Sequence, residues 1–428
     1  MSALESMFSS VDKDTRRILE GALAGHELSV DDALVLCVVN GVALHALCLV
    51  ADTLRKEQAG ERVSYVVNRN INFTNVCVKA CRFCAFSRTQ RSEEGYFLDV
   101  EEVVRRAVEA RDHGATEVCI QAGLPPGMSP RFYADLLRAI KSAAPELHVH
   151  AFSPEEIKFG AGLAGVPFRA FLEELKDAGL GSLPGTSAEI LDDTLRARIA
   201  PGRITTAEWT EVVTSAHAIG LPTTSTIMYG HVETDAQRIR HLALLRSIQK
   251  ETHGFTEFVP LSFVHEEAPM HVKQYLPDLR RGPTGNEVAR FYAIARLMLG
   301  ATFKNLQVSW VKEGVRTAQW LLSCGANDLG GTLINESIST SAGAAHGQFQ
   351  SPSDLRRIIR EAGRIPVERN TRYQPLRVFD AVATTDEDTT LDRISDPDAT
   401  FGSYRQLTQS ERFRFRLPVV PQSEGEAS

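Results

Sequence analysis

Residues 62–86 read RVSYVVNRNINFTNVCVKACRFCAF, and residues 98–123 read LDVEEVVRRAVEARDHGATEVCIQAG. Up to Phe73 the first stretch is short, β-branched and aromatic, which predicts a strand, and it runs straight into a loop holding Cys77, Cys81 and Cys84. The second stretch adds a helix and the next strand. Asp99 stands at an N-cap position with Glu102 three residues on. Val100, Val103, Val104, Ala107 and Val108 form one apolar stripe, and Gly114 closes the helix before TEVCIQ. Strand, loop, helix and strand in that order make one parallel unit.

The unit recurs along the chain. LHVHAF, GSLPG, TTSTIMYG, TEFVPL, NLQVSW and NDLGGT each follow a helix pattern, such as SPRFYADLLRAIKSA with Ser129 and Pro130 at its start, or TAEWTEVVTSAHAIG opened by Thr206. About eight strands alternating with helices predict an α/β fold, a (β/α)8 TIM-type barrel. An open doubly wound sheet is the other candidate, but cysteines occupy the position where such a sheet carries its glycine-rich phosphate loop. In a barrel, catalytic groups sit at the C-terminal strand ends, where the cysteine loop and QAGLPPG, HAFSPEE, PGTSAE, YGHVET and SFVHEE all fall. Residues 1–60 read as an N-terminal helical cap and 61–373 as the barrel. Residues 374–428, polar and acidic in ATTDEDTTLDRISDPDATFGS and without periodicity in VVPQSEGEAS, read as a loosely packed or disordered C-terminal extension.

Composition bounds the partners. With 428 residues, 43% hydrophobic and 24% charged, the chain has the make-up of a soluble enzyme-sized protein. A formal charge of -7 argues against a general grip on nucleic acid or anionic membrane and for small molecules. The absence of a long apolar run and the acidic start MSALESMFSSVDKDTRR predict a cytoplasmic protein. In that reducing compartment seven cysteines, an odd number, point to metal or redox chemistry before disulfides. Cys37, Cys48, Cys119 and Cys324 lie in apolar helix or strand patterns and read as inert core thiols. Cys77, Cys81 and Cys84 are spaced C-x3-C-x2-C, one ligand short of structural zinc; three thiolates on an iron–sulfur cubane leave one iron open.

That spacing, with Phe83 just before the last cysteine and the loop following the first strand, resembles the radical S-adenosylmethionine superfamily. NRNINFTNVCVKACRFCAF, EVCIQAGLPPG, HVHAFSPEEI, LPGTSAEIL, STIMYGHVET, GFTEFVPLSFVHEEAP and GRIPVERNTRY together resemble the second-subunit FO synthase family, the 5-amino-6-(D-ribitylamino)uracil:L-tyrosine 4-hydroxyphenyl transferases. The resemblance implies a [4Fe–4S] cluster on Cys77, Cys81 and Cys84, with S-adenosylmethionine on the open iron. It also implies cleavage of L-tyrosine and addition of its 4-hydroxybenzyl group to the ribityl pyrimidine in coenzyme F-420 biosynthesis. The first FO synthase subunit is the implied pathway partner, and a reducing electron donor is required. Menaquinone-pathway enzymes of the futalosine route are the near alternative, and a zinc-stabilised non-catalytic binding protein is the alternative of another class.

Outside the cysteines the residue readings stay open. Phe83 accompanies the cluster. The resemblance implies that Gln121, Ala122 and Gly123 meet the amino group of S-adenosylmethionine through backbone carbonyls; read alone, they form an ordinary strand-ending turn. His150 and Ser153 either hydrogen-bond the ribose or tyrosine or serve the fold. His231 and Glu233 suit a ribose hydroxyl or substrate amine, against a helix cap. Glu257, a carboxylate in an apolar strand, meets a substrate polar group or a buried arginine. His265 touches the pyrimidine or lies on a surface loop.

Overall fold

The computed structural model describes residues 3–380 and 388–417. The strands are β1 Arg62–Val66, β2 Asn68–Ile71, β3 Glu117–Ile120, β4 His148–Ala151, β5 Thr223–Tyr229, β6 Phe255–Ser262, β7 Asp328–Gly331, β8 Ile365–Arg369 and β9 Pro375–Val378. β1 and β2 are one strand interrupted at Val67. β2 pairs with β3 and β3 with β4, both parallel, from Asn68↔Glu117 to Ile120↔Ala151. The ring continues through bridges His150↔Ser182 and Leu183↔Thr223, the β5–β6 pair, and bridges Phe258↔Leu306 and Gln307↔Asp328. It closes where β7 meets β1 at Ser64↔Asp328. All these contacts are parallel, so the eight segments read from the sequence form the expected barrel, two of them narrowed to the short bridges at 182–183 and 306–307.

Local chemistry explains the helices between strands. Asp99 accepts the Glu102 N–H at 2.8 Å, and capping boxes start the helices Pro154–Ala164 at Ser153 and Thr206–Ala218 at Thr205. In the N-terminal cap, Gly41–Ala59 buries Leu47, Val50 and Ala51 and lies against Gly285–Leu299. Among the described residues no helix is long and apolar enough to cross a membrane.

The C-terminal region departs from the loose extension read over 374–428. β8 runs parallel to the first half of the opening strand, Arg62↔Ile365 through Val66↔Arg369, and β9 folds back on it. Residues 388–417 return to the barrel: Leu391 and Phe401 are buried, the Tyr404 ring lies 5.5 Å from Phe86, and Phe97 N–H bonds Phe413 O at 2.8 Å. A few scattered aromatics anchor this segment, and a composition reading dominated by its acids does not register them. Residues 381–387, the start of the acidic stretch, and the VVPQSEGEAS end lie outside the described residues.

Candidate active site

The strand ends surround a cavity of about 410 Å³ lined by Cys77, Cys81 and Cys84. The cysteine loop is held by backbone bonds within itself and to neighbouring segments: Cys77 N–H to Arg88 O at 3.0 Å, Val78 N–H to Leu124 O after β3 at 2.9 Å and Arg82 N–H to Ile199 O at the end of the helix Asp193–Ile199 at 2.9 Å. Gly123 packs so close that a Cβ there would stand 2.3 Å from Val76 O, and its N–H bonds Thr74 O at 2.8 Å. Any larger residue would push the cysteine loop outward.

All three thiols are half-buried. Burial raises Cys77, and pushes Cys81 up to about 12 against the pull of Arg203. Among the described residues no three His, Cys, Asp or Glu side chains converge as for a single ion. A cubane offers each thiolate its own iron, so this soft, spread donor set fits a cluster. The Arg203 guanidinium lies 5.7 Å from the Phe83 ring centre and donates to Ser187 Oγ at 2.6 Å, Glu189 at 2.9 Å and Glu155 at 3.3 Å. Ser187 and Glu189 sit in left-handed backbone, φ 62° and 40°. Such positions store strain where a site must hold a set geometry.

Of the residues singled out in the sequence, Phe83, Gln121, Ala122, Gly123, His150, Ser153 and Glu257 line this cavity with the cysteines. Gln121 O accepts from Asn72 at 2.6 Å and Ala122 N–H bonds Glu156 at 3.1 Å. His150 Nδ1 meets Ser182 Oγ at 2.7 Å, and burial keeps its imidazole neutral by lowering its pKa. The Ser153 hydroxyl is engaged by Glu156 at 2.7 Å in the capping box. His231 and Glu233 lie elsewhere. Buried outside the cavity lining, Glu233 accepts the Gly230 N–H at 2.6 Å and pairs with Arg238, while His231 Nε2 meets Met228 O at 3.0 Å. They brace a turn. His265 stacks edge-on against His271 at 4.7 Å, also outside the lining. Cys119, read as an inert core thiol, is half-buried and faces the cavity.

Comparison with known proteins places this geometry. The Radical SAM superfamily model matches residues 71–245, and the CofH/MqnC C-terminal region model matches 252–382. The 5-amino-6-(D-ribitylamino)uracil–L-tyrosine 4-hydroxyphenyl transferase of Methanothermobacter thermautotrophicus is 47% identical over 85% of this chain and 98% of its own length. That of Methanocaldococcus jannaschii is 48% identical over 82% and 97%. The chain belongs to this transferase family of the radical SAM superfamily. The FO synthase of Mycobacterium tuberculosis is 47% identical over 79% of this chain, which spans 39% of that longer protein. Methylornithine synthase PylB, TM-score 0.60 at 17% identity, covers 81% of this chain and 95% of its own. The hydrogenase maturase HydG of Carboxydothermus hydrogenoformans, TM-score 0.64 at 14%, covers 87% of each; both share the fold. Enzymes of the superfamily use a [4Fe–4S] cluster with S-adenosylmethionine, and the cysteine loop here fits that pair.

In this family member the sequence left several cavity groups unmarked. At the floor, Arg369 grips Asp328 bidentately at 2.6 and 3.0 Å, with Glu257 at 3.5 Å. Glu257 also accepts from Gln307 at 2.8 Å and from the Tyr373 hydroxyl, and burial raises it to about 7. Glu257 thus meets a buried arginine, one of the two partners its sequence context allowed, and its carboxylate also lines the cavity. Arg203, Lys312 and Glu336 line the same cavity. Each is a single charge on a loop or short helix, with no spacing motif to betray it.

Proposed function

We propose that this chain cleaves L-tyrosine and transfers its 4-hydroxybenzyl group to 5-amino-6-(D-ribitylamino)uracil in deazaflavin coenzyme biosynthesis. One observation carries the reading: a three-cysteine loop opens into a deep cavity in a chain 47% identical, over nearly the whole of the relative, to a protein of that name. Cys77, Cys81 and Cys84 hold the cluster; Phe83, Gln121, Ala122, Gly123 and His150 line the S-adenosylmethionine side, and Ser153 acts by fixing Glu156. When bound there, the cluster and S-adenosylmethionine would supply the carbon radical needed to take a hydrogen atom from tyrosine. Such a radical attacks almost any nearby C–H, so the walls must hold the reactants and exclude water. Leu124, Val259, Leu261 and Phe263 supply that apolar enclosure.

The first FO synthase subunit, as pathway partner, and a low-potential electron donor complete the proposal. The matched C-terminal region is shared with MqnC proteins, which keeps a futalosine-type substrate as the second reading. The deciding assay uses anaerobically reconstituted protein with dithionite, S-adenosylmethionine, L-tyrosine and the pyrimidine, read by mass spectrometry. A pyrimidine adduct carrying the hydroxybenzyl mass, formed with 5'-deoxyadenosine, is the expected result. Untouched tyrosine together with turnover of a futalosine analogue would reverse the order.

A further inference from the structure

The cavity has two unlike walls. On the cysteine side the charged groups are matched: Arg203 binds Glu155 and Glu189, and Lys79 lies 3.2 Å from Glu155. At the floor, Arg369 is matched by Asp328 and Glu257. Beyond the seventh parallel segment stands Lys312, on the short helix Trp310–Glu313. Trp310 Nε1 donating to Gly331 O at 2.8 Å fixes this helix, and Gly314 at φ 75° ends it. Lys312 lines the cavity, yet among the described residues no carboxylate lies within 4.0 Å of its ammonium and no acceptor within hydrogen-bonding distance.

The carboxylates that face it are Glu336 and Glu313. Glu313 is engaged by the Ser262 hydroxyl. Glu336 lines the cavity, and among the described residues its carboxylate accepts from its own segment, the Ser339 N–H at 2.9 and 3.1 Å. Burial lowers Lys312 and raises Glu336, which marks both charges as under-compensated by the protein. An enclosed cation without a close partner is costly unless a ligand completes it. Beside these two groups, Leu261, Phe263, Val311 and Leu333 make an apolar surface.

We propose that Lys312 and Glu336 form the head-group subsite for a zwitterionic aromatic α-amino acid. Lys312 takes the carboxylate, Glu336 takes the ammonium, and the ring lies on the apolar surface between strand ends six and eight. This rests on the reading above that the amino acid is L-tyrosine. A ribityl pyrimidine carries hydroxyl and amide groups and no full charge, so it gains little from Lys312. The amide-bearing side chains of the opposite wall and floor suit it better.

Binding is measured by calorimetry on the reconstituted full chain with S-adenosylmethionine and without reductant, so that no turnover intervenes. The probes are L-tyrosine, tyramine (no carboxylate), 3-(4-hydroxyphenyl)propionate (no ammonium) and the pyrimidine. Lys312→Met weakens tyrosine and the propionate by about tenfold or more and leaves tyramine and the pyrimidine within about twofold; Lys312→Arg restores part of the loss. Glu336→Gln weakens tyrosine and tyramine and spares the propionate. The subsite is overturned if Lys312→Met binds tyrosine as the parent does, or weakens tyramine as much as tyrosine. Should the parent protein ignore tyrosine but bind another aromatic amino acid with the same Lys312 dependence, the subsite stands and the tyrosine transferase reading falls. Should it consume tyrosine with KM unchanged in Lys312→Met, the subsite falls and the transferase reading stands.

Discussion

The cysteine end of the cavity and its floor solve opposite problems. At the cysteine end, three free thiols within eight residues line the cavity, and their chemistry depends on a group the chain binds. At the floor, Glu257 on β6, Asp328 on β7, and Arg369 with the nearby Tyr373 at the end of β8 come from three regions far apart in sequence and satisfy one another. Proximity in sequence suits a site that wraps one ligand; a closed network needs only proximity in space. The first is therefore readable as a motif, and the second is visible only once the barrel has closed.

The largest break in this comparison is at the cysteine end. Cys81→Ala leaves a cubane with two protein ligands, so iron and acid-labile sulfide per chain fall to background after anaerobic reconstitution, and 5'-deoxyadenosine release stops. Cys37→Ala, at a buried thiol that burial pushes up to about 12, retains the full iron content. Equal iron loss in both variants would mean that the spacing carries no special role.

At the floor the effect is on folding. Arg369→Met removes the cation that, among the described residues, pairs with Asp328 and Glu257, and leaves both carboxylates buried, at a cost of about 3–5 kcal/mol. Denaturant melts read it as a lower midpoint with an unchanged slope. Adding Glu257→Gln to that variant recovers part of the loss, because Gln307 and Tyr373 still offer it hydrogen bonds. If Arg369→Met alone lowers the unfolding free energy, the midpoint shift multiplied by the slope, by less than about 1 kcal/mol, the floor is solvated and the contrast with the cysteine end disappears.

Much of the barrel was legible because each β/α unit declares itself locally. The eight strand segments and the Asp99 cap follow from alternation and capping chemistry that act within a few residues. Where capping did not decide the boundary, the reading slipped: Ser129–Pro130 does not open the third-strand helix, which starts at Phe132 without a side-chain cap. The packed segment 388–417 was missed because a few separated side chains, such as Leu391 and Phe401, hold it down. In the site, His231 and Glu233 carry catalytic residue types but are consumed by Arg238 and a turn, whereas Lys312, on the short helix Trp310–Glu313, carries no motif and was not singled out. Residue type marks what a group is able to do; only its partners in space show whether it is free to do it.

Glu156 offers the finest test, because it joins the two regimes: it lines the cavity, yet it is held by Ser153 N–H at 2.8 Å, Ser153 Oγ at 2.7 Å and Ala122 N–H at 3.1 Å. Those donors favour the carboxylate, but burial outweighs them and raises it from 4.5 to about 7. A carboxyl raised in the folded state stabilises the fold most at pH below its unfolded value, and this contribution falls as pH climbs from 4.5 through about 7. Glu156→Gln removes that slope, while the donor–donor contact it creates with Ala122 N–H adds a cost that does not vary with pH. Glu257, raised similarly, remains in both proteins and cancels in the difference. The gap between the melting temperatures of parent and variant should therefore narrow by a few degrees at most, roughly, between pH 5 and pH 8. A gap that stays constant would mean that the capping donors win over burial, and that Glu156 is a fixed anion at the edge of the cavity.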